Sequence, residues 1–379
     1  MIPYLLIFSV TILLTYYAER LIKSNNKKQA FLIMGICVFT LSFFAGIRSD
    51  NIGKDIETYV IPSFRWAQHF KFWDFMAVGN LEKGYMVFTF IIVRIFNDYH
   101  LVLFAMQAIV STIIYIFAYK NKDNISMTLV IFAYLMIFFN DTFTMMRQSV
   151  ACALILMSTI KLKEKRYIST AILYLLAISF HTTACISILL YVVMFLDSTS
   201  KLSENRKKWI NIILFAGIFI GTIAYEKILY VITYNIPILQ PKFYEYINSI
   251  YYNQDGLSIS KSILIFKTLW ICVVAYMSII MKKQKFKTSL KFLCIDMCIY
   301  IASFKLPPIM RLGEYFTYPA LLNIVPKIGE IFENDKNKRI CLNILCIAFL
   351  MFFWYFTNVV HYENGGTYPY KSDILINMN

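Results

Sequence analysis

The sequence predicts an all-α, polytopic integral membrane protein of about twelve transmembrane helices, forming one domain over residues 1–379. Two observations carry this. Hydrophobic residues are 59% of the 379 and charged residues only 16%, more apolar surface than one soluble core can hide. Apolar runs recur from end to end, Lys and Arg collect in the short segments between them, and no Pro- or Gly-rich linker marks off a soluble domain. The formal charge of +15 therefore reads as a positive-inside bias, and no nucleic-acid partner is expected.

A spanning helix needs ~20 apolar residues, and fewer where it is buried among other helices. The first run, Pro3–Ala18, lacks a basic leader and a small-residue cleavage site, so it reads as the first transmembrane helix rather than a removable signal peptide. Ala30–Ile47, Leu101–Tyr119, Ser126–Phe139 and Met145–Ile160 follow. Tyr167–Phe180 and Thr182–Leu196 form a hairpin that turns at His181. Trp209–Tyr225, Ser262–Met281, Leu290–Phe304, Leu312–Ile328 and Ile340–Phe356 complete the set. Gly84–Phe96 is apolar but short and carries Arg94, and a crossing there would reverse everything after it. It is expected to be re-entrant or interfacial.

Orientation follows from the basic segments: Arg20 to Lys28, Lys161 to Arg166, Lys201 to Lys208, Lys282 to Lys287 and Lys336 to Arg339 mark the cytoplasmic side. The connections of about 48–83, 226–261 and 305–311 and the tail 358–379 then face outward, together with the His181 tip. The eight cysteines all sit in apolar runs without a CxxC or Cys/His pattern, so they read as packing residues. Cys294 and Cys298 share a helix but have no nearby His, Asp296 between them points elsewhere, and no metal is expected.

This topology brings Arg48, Asp50, Asp55, Tyr59, Glu82, Arg147, His181, Arg311, Glu314 and the Tyr368-Pro369-Tyr370 segment to the external leaflet. Ionisable groups at membrane depth are costly and tend to face a cavity or a partner. Arg48, directly after a helix, reads equally as an interfacial anchor and as an anion ligand. Asp50 and Glu57 read as solvated loop carboxylates, whereas Gly53 permits a turn that folds Asp55 back over the membrane surface. A lone histidine at a hairpin tip is more often a packing residue than an acid or base, and both readings stand for His181. Arg147 opens a helix against its dipole, which suggests an anionic partner. Arg311, after Pro307-Pro308 in a stiff turn, reads equally as a salt bridge to Glu314 and as a ligand.

Three external arginines suit phosphate, because the guanidinium donates in pairs and stays charged. A nearby carboxylate can take a proton from a sugar hydroxyl, and a lipid-linked diphosphate sugar needs both services. Tyr225, Tyr230, Tyr234, Tyr244, Tyr246, Tyr251 and Tyr252 crowd the second external segment, interrupted by Pro237 and Pro241. An aromatic belt accounts for about half of them, and the rest offer stacking faces or a gate. A P-loop, a Rossmann glycine pattern, HExxH and a cytoplasmic Asp-x-Asp are all missing, which argues against a nucleotide-sugar donor.

Arg48-Ser-Asp-Asn-Ile-Gly53-Lys-Asp55-Ile-Glu-Thr-Tyr59 resembles the Arg…Gly-x-Asp-x-x-x-Tyr signature of the EpsG-like family of Wzy-type polysaccharide polymerases. Glu82-Lys83-Gly84-Tyr85 resembles the family's Glu-x-Gly-Tyr/Phe segment, Arg147-Gln148 its Arg-Gln helix start, and Phe180-His181 its Phe-His element. Arg311 with Tyr315 is similar to its Arg-x-x-x-Tyr, and Pro369-Tyr370 to its C-terminal Pro-Tyr. Lys54 stands where a small residue is common, and Thr182-Thr183 replaces the usual small pattern. Both departures bear on substrate identity rather than class.

The resemblance implies a GT-C-like membrane glycosyltransferase that lengthens O-antigen, capsule or exopolysaccharide at the outer face of the cytoplasmic membrane. Its donor would be a glycan on undecaprenyl diphosphate, its acceptor one lipid-linked repeat unit, and it would need no cofactor or metal. Arg48, Arg147 and Arg311 become diphosphate-binding candidates, with Tyr59, Tyr315 and Tyr370 as further substrate-binding candidates. Asp55 is the first choice of base, with His181 or Glu82 behind it. Besides the lipid bilayer, a chain-length regulator and a flippase are the candidate protein partners. The rival readings are a flippase for lipid-linked oligosaccharide and an O-antigen ligase. Against the flippase stand the lack of an internal repeat and the clustering of polar residues at one leaflet.

Overall fold

A computed structural model describes residues 1–78, 81–199, 203–224, 261–281, 284–304, 307–361 and 366–373, with isolated positions 227, 231, 234 and 235. Tyr225, Tyr230, Tyr244, Tyr246, Tyr251, Tyr252, Pro237 and Pro241 of the aromatic segment lie outside the described residues. The described residues are mainly helical and contain no strand. They form two compact units, Met1–Ala184 with Val325–Asn379, and Cys185–Ile324.

Helices α1 (Ile2–Lys23), α2 (Lys27–Gly46) and α6 (Tyr99–Lys120) of the first unit are long and apolar enough to cross a membrane. So are α16 (Lys336–Tyr355, running on to Val360) and, in the second unit, α13 (Lys261–Met281). Shorter apolar helices are α7 (Met127–Ile137), α10 (Tyr167–Phe180) and the stretch Thr182–Ser198. The protein is membrane-embedded: on α10, Ile168, Ile172 and Leu175 project a 79%, 60% and 64% exposed apolar stripe that only lipid can satisfy.

The core of the first unit lies around α7 and α9 (Met146–Lys163), which bury most of their side chains and are joined through the one-turn α8 (Asp141–Thr144). Successive long helices alternate in direction. At one end Glu19, late in α1, accepts bonds from Ser126 and Thr128 at the start of α7, capping its unpaired N–H groups. Also at helix C-terminal ends, Lys120 of α6 binds Glu164 just after α9 at 2.6 Å. At the other end, His100 near the start of α6 donates Nδ1–H to the Gly46 carbonyl closing α2, at 2.7 Å.

That second end carries the external-segment residues of this unit. The segment after Arg48, expected as a loop, is largely helical: a π turn at Ile56–Val60, α3 (Ile61–His69) and α4 (Phe72–Ala77). The physical reason is a buried stripe. Ile56, Val60, Ser63 and Ala67 are buried at helical spacing, while charged residues between them hide the pattern. Gly84–Phe96 corresponds to α5 (Lys83–Phe96), about 21 Å long. Its start touches Arg147 and its end abuts Tyr99, whose hydroxyl bonds Asp50 at 2.6 Å, so both ends are tied to the same end of the bundle. Asn97 in the left-handed conformation stops α5, and the Asp98 carboxylate, accepting from His100 N–H, opens α6.

The second unit contains α11 (Ile188–Ser198), α12 (Glu204–Ile223), α13, α14 (Gln284–Ala302), a 3-10 turn at Pro307–Gly313 and α15 (Glu314–Ile324).

Candidate functional site

Arg147, the second residue of α9, is the centre of the arrangement. Its guanidinium lies 4.0 Å from the centroid of the Tyr59 ring and 5.6 Å from that of Tyr85, and it is paired with the Glu82 carboxylate. The side chains are only 12% and 5% exposed, so the pair is largely dry. Glu82 reaches in the other direction with Oε1, which accepts from Thr182 N–H at 3.3 Å and from the Thr182 hydroxyl at 3.2 Å. The same oxygen is 3.7 Å from His181 Nδ1, and that nitrogen is 3.3 Å from the Thr183 hydroxyl.

Two glycines make this possible. A Cβ at Gly84 would sit 2.2 Å from Ser179 Oγ and 2.7 Å from its carbonyl, so only glycine lets α5 begin against the end of α10. That approach is what brings Glu82 within reach of Thr182 and His181. Gly53 has φ +90° and a Cβ there would meet the Phe143 carbonyl at 2.1 Å, so the turn before Asp55 admits no side chain. Asp55 Oδ2 then accepts the Met146 N–H at 2.9 Å, placing a carboxylate at the start of the helix that carries Arg147.

Arg48 has a different setting. It is 1% exposed and sends Nε to the Ile52 carbonyl at 3.0 Å, Nη1 to the Ala45 carbonyl at 2.5 Å and Nη2 to Met146 Sδ at 3.3 Å. The Phe143 ring lies 4.4 Å beneath it. Burial pushes its pKa down to about 10, which leaves it a cation at neutral pH. In this structure its donors knit the 48–55 turn together.

The C-terminal segment is bound to the same turn. Tyr370 stacks on Phe44 with ring centroids 4.0 Å apart and donates its hydroxyl to the Phe44 carbonyl at 2.7 Å. Ser49 N–H donates to Lys371 O and Gly53 N–H to Gly366 O, at 3.0 and 2.9 Å. Thr367 is fixed by Tyr4 through its carbonyl and by Asn140 through its hydroxyl, at 2.6 and 2.9 Å. Asn140 in turn accepts from Trp354 Nε1 at 2.8 Å.

Of the sequence-predicted residues, Arg48, Asp55, Tyr59, Glu82, Arg147, His181 and Tyr370 belong to the first unit, with Asp55, Tyr59, Glu82 and His181 around Arg147. Arg311 and Tyr315 belong to the second unit, Arg311 exposed on the 3-10 turn and Tyr315 fully buried on α15. That turn rests on a buried pair that spacing along the chain does not reveal: Asp296 accepts from Lys267 Nζ at 2.5 Å and lies so close to Gly313 that a Cβ there would stand 1.8 Å from Oδ1. A lysine and an aspartate inside apolar runs are the one signal of it in the sequence. Tyr85 is visible there only as part of a motif, without its contact to Arg147.

The site combines a cation held between aromatic rings with a carboxylate and an imidazole behind it, a setting able to bind an anion and accept a proton. No curated protein and no solved structure matches the chain. The family model that does match, described as the EpsG family, covers residues 31–372, from the start of α2 to the C-terminal segment pinned on the Arg48 turn, and the chain belongs to that family.

Proposed function

We propose that the protein is a Wzy-type polysaccharide polymerase that joins undecaprenyl-diphosphate-linked repeat units at the outer face of the cytoplasmic membrane. The observation that carries this reading is the placement of Arg147 at a helix start, against its dipole, braced by Tyr59, Tyr85 and Glu82. In the reaction the acceptor hydroxyl attacks the anomeric carbon of the donor. The bond to the diphosphate breaks with its electron pair leaving on phosphate, and the hydroxyl proton passes to a base.

In this reading Arg147 faces the departing diphosphate. The Glu82 and His181 pair accepts the proton, and Tyr59 contributes to substrate binding. Asp55 holds the α9 start that presents Arg147. Arg48 and Tyr370 act through the turn and the C-terminal segment they fasten. The apolar helices complete about twelve crossings with the lysine-rich segments in the cytoplasm. A flippase supplies the substrate and a chain-length regulator sets the product size.

Purified protein mixed with synthetic undecaprenyl-diphosphate repeat units is the test. A polymerase yields a ladder of products from that substrate alone. A single unreacted band, with movement of the unit between leaflets of a vesicle, indicates a transporter; product only on addition of a second acceptor indicates a ligase.

A further inference from the structure

The second unit contains a cavity of about 560 Å³ lined by Lys207, Lys208, Asn211 and Phe215 of α12, Lys287 and Lys291 of α14, and Asp197 of α11. We infer that this cavity binds a phosphate-bearing anion, the headgroup of an acidic phospholipid of the surrounding bilayer.

The charge of the lining is lopsided. Among the described lining residues are four lysines and one aspartate, and Asp197 accepts from Lys291 Nζ at 2.5 Å and from the Thr288 hydroxyl at 2.5 Å. Lys207, Lys208 and Lys287 are all within the first five residues of their helices, where the backbone dipole adds positive rather than compensating potential. An anion seated there is attracted by Lys208 and Lys287, one near each of two helix N-termini.

The cavity walls also suit such a ligand. The Asn211 amide has its Oδ1 buried without a hydrogen-bond partner, and a half-turn of that amide presents its NH₂ as donor instead. Ile212 and Phe215 give the cavity an apolar side, which fits the junction between a phosphate and its glyceryl chains better than a free ion. Lys207, Lys208 and Lys287 belong to the segments read as cytoplasmic, where anionic lipids concentrate and basic pockets between helices collect their headgroups.

Native mass spectrometry of the full chain in detergent, doped with phosphatidylglycerol or with phosphatidylcholine, tests the inference. The wild type keeps a phosphatidylglycerol adduct and sheds phosphatidylcholine. Lys208→Gln with Lys287→Gln weakens the adduct by about 10- to 30-fold, from ~1 kcal/mol per lysine. Lys208→Arg with Lys287→Arg retains it, which separates charge from any effect on folding. Lys27→Gln with Lys28→Gln removes the same charge from the start of α2 and leaves the adduct within about twofold. An equal loss in that control overturns the inference, because binding would then follow overall charge. Lysine-dependent binding of inorganic phosphate without a phosphatidylglycerol adduct also overturns it, by assigning the cavity to a soluble anion.

Discussion

Glu82→Gln is the most informative single change in the site, because glutamine keeps the shape and an accepting oxygen while removing the charge. The side-chain oxygen can still accept from Thr182 N–H and its hydroxyl, which lie 3.3 and 3.2 Å away in the wild type. What disappears is the partner of Arg147, in a pair whose side chains are 12% and 5% exposed. Breaking a buried ion pair by neutralising one member costs about 3–5 kcal/mol, since the other charge stays in a poorly solvated place. The Tyr59 ring, 4.0 Å from the guanidinium, continues to stabilise Arg147 by ~1 kcal/mol. The expected net loss is therefore about 3 kcal/mol, on the order of 150-fold in the folding equilibrium. Chemical unfolding in micelles measures it, and the ladder assay on lipid-linked repeat units reads activity, which falls to background. The double variant Glu82→Gln, Arg147→Gln recovers at least half of the stability, because two neutral amides replace a pair rather than strand a charge, yet it stays inactive. Strictly additive stability losses in the two single variants and the double would refute the energetic coupling. Wild-type ladders from Glu82→Gln would refute its place in the site.

Further expectations follow from the same contacts. Gly84→Ala drives a methyl group into Ser179, so it lowers both stability and chain elongation; adding Ser179→Ala relieves the 2.2 Å clash but not the 2.7 Å one with the carbonyl, giving partial rescue in the unfolding midpoint and ladder. Tyr59→Phe keeps the face under Arg147 and retains elongation, whereas Tyr59→Leu loses the cation–π contact and lowers elongation at least tenfold by the same ladder assay, about 1.4 kcal/mol or more. Arg48→Lys keeps the charge but cannot reproduce donation to Ile52, Ala45 and Met146 at once, so it destabilises by about 2 kcal/mol in the same unfolding measurement.

Part of the site is legible in the amino-acid order itself. The gathering of Arg48, Asp55, Glu82, Arg147 and His181 at one end of the first unit follows from alternating apolar runs and the placement of lysines, since each crossing fixes the side of the next. Gly53 and Gly84 stand out by motif, though their reason, a carbonyl of Phe143 and the end of α10, is non-local. The helix at Ile61–His69 escapes a reading by period because its buried positions, Ser63 and Ala67, are small and are separated by Phe64, Arg65 and Trp66. Lys267 and Asp296 escape it because they lie in different apolar runs and only packing of α13 on α14 pairs them.

By itself the sequence determined that the chain is helical and membrane-embedded, and which charged groups share an end of the first unit. These depend on composition and one-dimensional order, through the cost of placing charge in lipid. Only the tertiary structure decided which atoms each of those groups meets. Arg48 and Arg147 are both cations after or at a helix end, yet one has its donors consumed by local carbonyls and a sulfur while the other stands between two aromatic rings and a carboxylate. That difference rests on which backbone oxygens and rings lie within a few ångströms in space, and distances of that kind are set by packing rather than by spacing along the chain.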